Sequence, residues 1–600
     1  MRGIVNKFAA LLALGACMSV PSSAHADNIA RTGAHKLDHA YWKTLFDHSA
    51  DEFFDKAYFP YQPSQGTASG YHQYDTKLED FSRPTRTAEI AELHKYETHF
   101  ASMLVKADFD PSTRGDCELV LNSIRSNLLA LETIRPWEKN PDLYSGIAAN
   151  GAFTIMERKF ASPDERLRSL VARERQMPGL FDQARLNLSN PPHIYAEIAI
   201  EQLPGIIQFF QHDVSLAFAS ASDAALQEEF THTNGQVIAA LQGYLAWLKS
   251  DLLPRSNGDF RIGADTFQKK LAYDEMVDIP LDKLLEIGWA DLHKNQQHFI
   301  QVAGELEPGK DPRAVLEELG GDHPAPEKLI STFTSTFDSL IGFIRSHNIV
   351  TIPSDVRPIV EETPPFMRAT TFASMDTPGP FEKHATEAYF NVTQPDPSMT
   401  PAQVESYMHA FNVGTIISTA VHEAYPGHYV QFLWVPQAPS RVRKLLGAAS
   451  NAEGWAHYCE QMMLDEGYGQ PGQGAKDLRE SRMLRLGQLQ DALLRNARFI
   501  VGIEMHTGKM TFDQAVDFFQ KEGYQSKESA LVETRRGTGD PTYLYYTLGK
   551  LQILKLRHDL EQKQGSAFSL EEFHDNFLRQ GFPPIKIVRE ALLGDKSPTL

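Results

Sequence analysis

The residues with the clearest chemical potential lie in the rear half of the chain, between His422 and His428, in the run HEAYPGH. Histidine and glutamate are preferred zinc ligands, and a catalytic zinc site combines three such ligands with one open position for water. In the usual helical form, H-E-x-x-H, both histidines face one way and the glutamate serves as general base. The run therefore predicts a zinc site with His422 and His428 as ligands and Glu423 as the base.

The spacing of the two histidines departs from this usual form. His428 follows His422 by six residues rather than four, so on an ideal helix it would lie about 240° around the axis. Pro426 removes a backbone donor and Gly427 permits unusual dihedral angles, so a break there could turn His428 back toward His422. From spacing alone, a solvated His-Glu pair followed by a kinked helix stays an open alternative.

A third ligand is expected in the run NAEGWAHY, where Glu453 lies 25 residues beyond His428. That separation suits a turn and a second helix packed antiparallel on the first. His457 follows Glu453 at i+4, on the same helix face, where it could hydrogen bond to a metal ligand from behind. The alternative is that Glu453 is an ordinary surface carboxylate.

The elements that would position these residues are mostly helices. Helix starts with a hydroxyl cap and an acid or amide three residues later occur at Ser162, Thr400, Thr511 and Ser569. The main interruption lies between about residues 352 and 394 and is rich in Pro, Thr and β-branched residues, which is typical of loops and short strands. Its best strand is Ala388–Val392.

This pattern predicts a mainly α, large multi-helical fold with a small β-containing insert before the metal-binding helix. We expect a helical N-terminal region over residues 27–350 and a catalytic region over residues 351–600, with short strands and zinc-binding helices. The chain of 600 residues is too long for a single hydrophobic core, so a division into regions is the ordinary expectation.

Residues 1–26 are predicted to be a signal peptide. Arg2 and Lys7 form a short basic start, Phe8–Ala16 is apolar, and Ala24-His25-Ala26 offers a cleavage site. We expect a periplasmic or secreted protein with no transmembrane segment after cleavage, because the apolar stretch is too short to span a bilayer. A lipoprotein attached through Cys17 is the competing interpretation, since Leu14-Gly15-Ala16-Cys17 resembles a lipobox.

Composition excludes some classes of function. Hydrophobic residues make up 42% and charged residues 22% of the chain, the balance of a soluble globular protein. The formal net charge of −19 argues against a nucleic-acid partner, because phosphate contacts need clustered Lys and Arg. Cleavage after Ala26 leaves only Cys117 and Cys459, so disulfides cannot be the main source of stability. The sequence does not determine the oligomeric state.

The two motifs, HEAYPGH and EGWAHY, resemble the bacterial family called domain of unknown function 885, which is grouped with the gluzincin metallopeptidases. The resemblance extends from about Phe46 to Leu593, with further similar segments at Met177–Leu180 and Arg536–Pro541. The family itself has the stretched spacing of its histidines. The resemblance implies a mostly helical metallopeptidase-like fold with Zn²⁺ as cofactor.

The same resemblance suggests roles for residues outside the two motifs. In gluzincins a Tyr or His from a later segment often stabilises the oxyanion, and Tyr546 is the best candidate here, followed by His506. Asn391 lies on a strand before the metal helix, where gluzincins keep a substrate-binding edge. Arg536 could bind a substrate carboxylate. Core packing for Tyr546, an ordinary buried strand at Asn391 and a solvated charge at Arg536 are the alternatives.

These observations favour an exported zinc-dependent metallohydrolase, a peptidase that cleaves short peptides with a zinc-activated water and Glu423 as general base. Two alternatives stay open: a zinc amidohydrolase acting on small non-peptide amides, and a non-catalytic periplasmic binding protein that retains the fold. The retention of all proposed ligands and of Glu423 argues against the binding protein. A serine hydrolase has little support, because the chain shows no G-x-S-x-G motif.

Overall fold

A computed structural model describes residues 38–364, 367–368 and 371–600. The predicted signal peptide, residues 1–26, and the candidate lipidation site Cys17 lie outside these residues. Within the described ranges, helices dominate and strands are few and short. The prediction of a mainly α fold with a small β-containing insert is therefore confirmed.

The helices before the sheet are α1 (His39–Phe53), α2 (Pro63–Ala68), α3 (Arg83–Lys106), α4 (Pro111–Leu128), α5 (Pro136–Lys139), α6 (Asp142–Glu157), α7 (Pro163–Glu174), α8 (Met177–Asn187), α9 (His193–Gln208), α10 (Val214–Ala217), α11 (Ala224–Trp247), α12 (Leu253–Arg255), α13 (Ala264–Asp274), α14 (Leu281–Leu306), α15 (Pro312–Gly320) and α16 (Leu329–Ser346). The helices after it are α17 (Pro401–Met408), α18 (Val413–Glu423), α19 (His428–Trp434), α20 (Arg441–Leu445), α21 (Ala449–Asp465), α22 (Leu478–His506), α23 (Phe512–Lys521), α24 (Lys527–Gly539), α25 (Tyr545–Gln564), α26 (Leu570–Leu578) and α27 (Ile585–Leu593). Helices α1, α4, α9 and α11 continue directly into π-helical turns.

Hydroxyl side chains cap helices where the sequence predicts them. Ser162, Thr400 and Thr511 each accept a hydrogen bond from the third helical N–H, and the acid or amide at that position bonds back to the cap backbone. Ser569 makes only the first of these two bonds. Each cap satisfies backbone donors that would otherwise lack partners, which fixes where the helix begins.

The insert forms a three-stranded sheet from β1 (Ile359–Glu362), β2 (Ala373–Asp376) and β3 (Tyr389–Val392), in the order β1-β3-β2. Strand β3 pairs parallel with β1 and antiparallel with β2. Phe390 and Val392 face the core that surrounds helices α18 and α21, whereas Asn391 points to the other face because side chains alternate along a strand. A short second pair, β4 (Gln470–Pro471) with β5 (Gly474–Ala475), precedes α22.

The regions before and after residue 350 pack against each other extensively. Helix α14 lies against α22 and shares one hydrophobic cluster with it. Lys550 Nζ is 3.0 Å from Asp291 Oδ2, and the backbone N–H of Ser450 donates to Glu275 at 3.0 Å. The proposed boundary at residue 350 stays a prediction.

The two remaining cysteines, Cys117 and Cys459, are free and buried, and they lie in different hydrophobic clusters. Stability therefore rests on packing rather than on a disulfide. Among the described helices, none combines the length and the apolar character needed to cross a bilayer.

Candidate metal centre

The chain breaks where the sequence places Pro426 and Gly427. Helix α18 ends at Glu423, and a new helix, α19, begins at His428. A Cβ atom on Gly427 would lie 1.8 Å from the carbonyl oxygen of His422, so only glycine fits this turn. The break brings the imidazoles of His422 and His428 together, with ring centroids 4.8 Å apart and planes nearly perpendicular.

Glu453 on helix α21 faces both imidazoles. Its Oε2 atom lies 3.3 Å from His422 Nε2 and 3.4 Å from His428 Nε2. Four ligands around a tetrahedral zinc ion at 2.0–2.1 Å would be separated by about 3.3–3.4 Å. Neither approach is aligned as a hydrogen bond, so Glu453 Oε2 has no hydrogen-bond partner. The donor types and the two separations from Glu453 therefore fit a zinc ion, and all three ligand atoms lie within 4.8 Å of one another.

The three side chains differ in how far protein encloses them. The side chain of His422 is 7% exposed, that of His428 is 12% exposed and that of Glu453 is 26% exposed. The Oε2 atom of Glu453, which faces the imidazoles, is buried, so the exposed part of this side chain lies away from the ligand atom.

The electrostatics of the centre favour positive charge between the ligands. Burial opposes a charged His422, but the carboxylates of Glu453 and Glu460 outweigh it and raise the His422 pKa to about 9. Burial likewise raises the pKa of Glu453, whereas the neighbouring His428 and His422 hold it well below its ordinary value. A cation between these groups would satisfy both sets of side chains.

Behind His422 lies a buried chain of polar side chains. His422 Nδ1 is 2.6 Å from Glu460 Oε1, and Glu460 Oε2 is 2.9 Å from His457 Nδ1. Arg495 Nη2 lies 3.1 Å from Glu460 Oε1. His457 thus reaches the ligand through Glu460 rather than directly. Sequence reasoning missed Glu460. It lies three residues after His457 and seven after Glu453, and this i, i+4, i+7 spacing on one helix face was the available signal.

The pKa values of this buried chain follow from burial and from the positive charge of Arg495. Burial lowers the pKa of His457 to about 3, despite the opposing effect of Glu460. Burial raises the pKa of Glu460, but Arg495 and His457 outweigh it and hold that pKa well below the ordinary value. Glu460 is therefore a stable carboxylate that can accept the Nδ1 proton of His422 and leave Nε2 free to bind a metal.

Tyr546 lies on the other side of the centre, close to three arginines. Its ring is 6.3 Å from the His422 ring, centroid to centroid. The guanidinium groups of Arg495, Arg498 and Arg536 lie between 4.8 and 5.7 Å from the Tyr546 centroid. Arg536 Nη2 donates to the Tyr546 hydroxyl at 3.1 Å. Burial raises the Tyr546 pKa, so the hydroxyl keeps its proton and can donate it in a hydrogen bond.

A close helix crossing sets the positions of Glu453 and Tyr546. Helices α21 and α25 meet at Gly454 and Gly549, where a Cβ atom on Gly549 would lie 1.8 Å from the carbonyl oxygen of Ser450. Glu453 precedes the first glycine and Tyr546 lies one turn before the second. The absence of side chains at the crossing therefore allows the carboxylate and the phenol to approach the same centre.

The other predicted site residues lie in different places. Glu423 is buried at the last position of helix α18, next to His422. His506 does not join the centre: its Nε2 lies 2.7 Å from the Gly537 carbonyl oxygen, and it is eleven residues beyond Arg495 on the same helix, about 16 Å along the axis. Asn391 lines a separate cavity that none of the three ligands borders.

A second group of metal-binding residue types lies at the surface, formed by His323, Glu405 and His409. Glu405 Oε1 is 3.4 Å from His323 Nε2 and 3.8 Å from His409 Nε2. The Glu405 side chain is 64% exposed, so this group lacks the burial and the hydrogen-bonded support found at His422. Any measurement of bound metal must separate the two groups.

Most of the chain matches a known protein family. Residues 63–592 match the family described as Bacterial protein of unknown function (DUF885). A solved structure of a candidate lipoprotein of unknown function from Shewanella oneidensis is 26% identical, with a TM-score of 0.72 over 93% of this chain and 100% of that chain. A candidate lipoprotein from Colwellia psychrerythraea shares the fold, with 17% identity and a TM-score of 0.76 over 92% of this chain and 98% of that one. No curated protein matches the chain.

Proposed function

The chain belongs to the DUF885 family of bacterial proteins, and from the geometry of its buried centre we propose that it is an exported zinc-dependent metallohydrolase that cleaves short peptides. The observation that carries this proposal is the placement of His422, His428 and Glu453. The two separations from Glu453 Oε2 to the imidazole nitrogens match those of a tetrahedral zinc site, in which three protein ligands leave a fourth position for water. The resemblance of the two motifs to gluzincin metallopeptidases points to the same chemistry.

Bound zinc would supply a Lewis acid that polarises the scissile carbonyl and lowers the pKa of a coordinated water to near neutrality. Glu460 would hold His422 in the tautomer that presents Nε2 to the metal. Glu423, buried beside His422, would take the proton of the attacking water and pass it to the leaving amine. The role of Glu423 is supported by its burial and by its position directly after His422.

Tyr546 and the arginines around it supply the other half of the proposed chemistry. The protonated Tyr546 hydroxyl would donate a hydrogen bond to the oxyanion that forms when water adds to the carbonyl. Arg536, which is one-third exposed and bonds to that hydroxyl, would bind the carboxylate of a short peptide. The combination favours small substrates with a free carboxylate over long polypeptides.

The first test is the metal content of the mature protein after exposure to zinc and extensive dialysis. His428→Ala should lose one tightly bound zinc per chain, whereas His409→Ala, which disrupts only the surface group, should keep it. Absence of tightly bound zinc from the wild-type protein would contradict the proposal and favour a non-catalytic binding protein.

The second test is a digest of a peptide library by the wild-type protein and by Glu423→Gln. The variant should retain its zinc but lose cleavage by about 10²- to 10⁴-fold, because it lacks the general base. Zinc-dependent hydrolysis of non-peptide amides, with no peptide cleaved, would instead support the amidohydrolase alternative. If the protein bound peptides or amides but hydrolysed neither, both enzymatic proposals would be contradicted.

We further propose export of the protein, because the chain begins with a predicted signal peptide and the two similar structures are candidate lipoproteins. Soluble export and lipid attachment differ at Cys17. Mass spectrometry of the mature N-terminus distinguishes them: cleavage after Ala26 gives Asp27 as the first residue, whereas lipidation leaves a modified Cys17.

A further inference from the structure

The cavity that Asn391 lines has a volume of about 250 Å³ and lies between helix α6 and the three-stranded sheet. The helix contributes Asn150, Phe153, Thr154 and Glu157, whose spacing of i, i+3, i+4 and i+7 defines one helix face. None of the three ligands of the metal centre lines this cavity. The volume exceeds that of a single ordered water many times over and suits a small organic molecule.

The sheet presents the polar side chains of Asn391 and Ser374 to the cavity. Strand pairing places Glu361 beside Asn391 on the same face of the sheet, next to these lining residues. Asn391 is only 2% exposed, yet its Oδ1 atom has no hydrogen-bond partner, and Ser374 Oγ also has none. A buried acceptor without a partner destabilises the fold, so a ligand that donates hydrogen bonds here would be stabilised.

The carboxylates that line the cavity outnumber its cationic side chains. Asp376 is paired with Arg158, and Glu382 is paired with His72. Within the described ranges of the chain, neither Glu157 nor Glu361 forms an ion pair. Burial raises the pKa of Glu157 and Asp376, and burial together with these two carboxylates raises that of Glu361 to about 7. A cation would relieve this repulsion.

A single metal ion does not fit the arrangement. Among the described residues, the groups whose ligand atoms lie within 4.8 Å of one another are the two His/Glu groups, and Glu157, Glu361 and Asp376 form no such group. A wider cation with several N–H donors can reach carboxylates and the Asn391 oxygen at once. We propose that this cavity binds an organic cation through its ammonium or guanidinium group.

This inference does not depend on the proposed hydrolase function, because the cavity shares no lining residue with the three metal ligands. The cationic group could belong to a free amine or to a basic residue of a peptide. A free amine and a basic side chain would both donate N–H groups to Glu157, Glu361 and Asn391. The experiment below distinguishes these two sources of the cationic group.

The test is calorimetric titration of the full mature protein with agmatine and n-butylamine, and with n-butanol as the uncharged counterpart. Both amines should bind and n-butanol should not. A blocked tripeptide, acetyl-Ala-Arg-Ala-amide, that competes with agmatine identifies a peptide side chain as the ligand. Failure of the tripeptide to compete identifies a free amine.

Substitutions at the cavity test whether the amines bind there. Glu361→Gln and Glu157→Gln should each weaken agmatine binding at least tenfold. Glu362→Gln, on the opposite face of the same strand and ion-paired with Arg368, should leave the affinity unchanged. Thermal melting of each variant checks that the fold is intact. Equal affinity in all three variants, binding of n-butanol, or binding of calcium that Glu361→Gln abolishes would each overturn the proposal.

Discussion

The imidazole of His422 is supported from behind by Glu460, a carboxylate outside both sequence motifs. Glu460 contacts His422, His457 and Arg495 and is fully enclosed by protein. A carboxylate in this position fixes the orientation of the ring and increases the basicity of Nε2. Metal affinity is therefore expected to depend on a residue that makes no contact with the metal.

Glu460→Gln should weaken zinc binding by about 10- to 100-fold, because the amide is neutral and supports the ring less strongly. The dissociation constant can be measured by competition with a chromophoric chelator. Asp465→Asn, on the same helix but at the surface, is the matched control and should bind zinc as the wild type does. An unchanged affinity in a folded Glu460→Gln protein would show that the support is dispensable.

Tyr546→Phe should reduce kcat for the cleaved peptide by about 100-fold, with little change in KM or zinc content, because it removes one donor to the oxyanion. Tyr543→Phe is the control, since the Tyr543 hydroxyl is buried without a hydrogen-bond partner. Equal losses in both variants would assign Tyr546 to packing rather than to the reaction.

At this scale the sequence predicted the residue types that meet at the centre but not all of their contacts. His422, His428 and Glu453 come together, although their functional roles stay predictions. Glu460 shares a helix face with Glu453 and His457, but its pairing with Arg495 could not be assigned, because a buried ion pair between distant segments leaves no local pattern. His506 was the second candidate for stabilising the oxyanion, because it follows the metal motifs in the sequence. It lies about 16 Å along helix α22 from Arg495, away from the centre.

Among the elements, the crossing of α21 and α25 tolerates little change, because the two backbones meet at glycines. Gly549→Ala should destabilise the protein by about 1–3 kcal/mol, because a Cβ atom would overlap the Ser450 carbonyl oxygen. Separation of the helices should also move Glu453 and weaken zinc binding. Urea denaturation and the chelator assay measure the two effects.

Gly235→Ala on helix α11 is the matched control, because a Cβ atom there would meet no neighbouring atom. It should leave zinc binding unchanged and stabilise the protein by up to about 1 kcal/mol, since alanine favours a helix over glycine. If both variants behaved alike, the close approach of α21 and α25 would not be important for the centre.

The packing of α7 on α11 predicts a pH dependence of stability. Glu174, the last residue of α7, is buried and accepts a hydrogen bond from Thr233 of α11. Burial raises the Glu174 pKa to about 8, so between pH 4.5 and 8 the folded protein binds a proton that the unfolded chain has released. Stability from this group therefore falls as pH rises through that window.

Between pH 5 and pH 9 the free energy of unfolding of the wild type should fall by about 4 kcal/mol through this group, and Glu174→Gln should remove that fall. Urea denaturation at both pH values gives the two free energies of unfolding. Glu228→Gln, an exposed position on α11, should follow the wild type. Parallel pH profiles for Glu174→Gln and the wild type would mean that Glu174 ionises normally when folded.

Local patterns predicted several elements well. Short sequence patterns predicted two kinds of feature correctly: the helix caps at Ser162, Thr400 and Thr511, and the strand near Tyr389–Val392. Both depend on interactions within a few residues of the chain. The order of the strands and the crossing of α21 with α25 were not readable, because they depend on partners distant in sequence. The break before His428 could be anticipated from Pro426 and Gly427, but not its direction.

Across the whole molecule, a buried ion pair joins the regions on either side of residue 350. Arg443 Nε is 2.6 Å from Asp116 Oδ1, and both side chains are almost fully enclosed. Sequence patterns predicted amphipathic helices in both regions but could not show which surfaces meet. Such a pair links the stability of the regions, because the loss of one partner leaves a buried charge unpaired.

Arg443→Met should destabilise the protein by about 3–5 kcal/mol, whereas Arg443→Met combined with Asp116→Leu should recover much of that loss. Thermal unfolding followed by tryptophan fluorescence measures both variants. Arg441→Met, which removes a more exposed arginine on the same helix, is the control and should cost less. A double variant no more stable than Arg443→Met would argue against coupling between the two positions.

The break at Pro426-Gly427 also affects how the centre would respond to loss of its ion. His422 ends one helix and His428 begins another, so the two imidazoles belong to separate backbone segments rather than to one continuous helix. An ion bound by both would tie the short helix α19 to the rest of the core. Chelation should then speed amide hydrogen exchange in His428–Trp434 while α18 stays protected. Local opening of the α19 backbone would thus depend on whether the ion is bound.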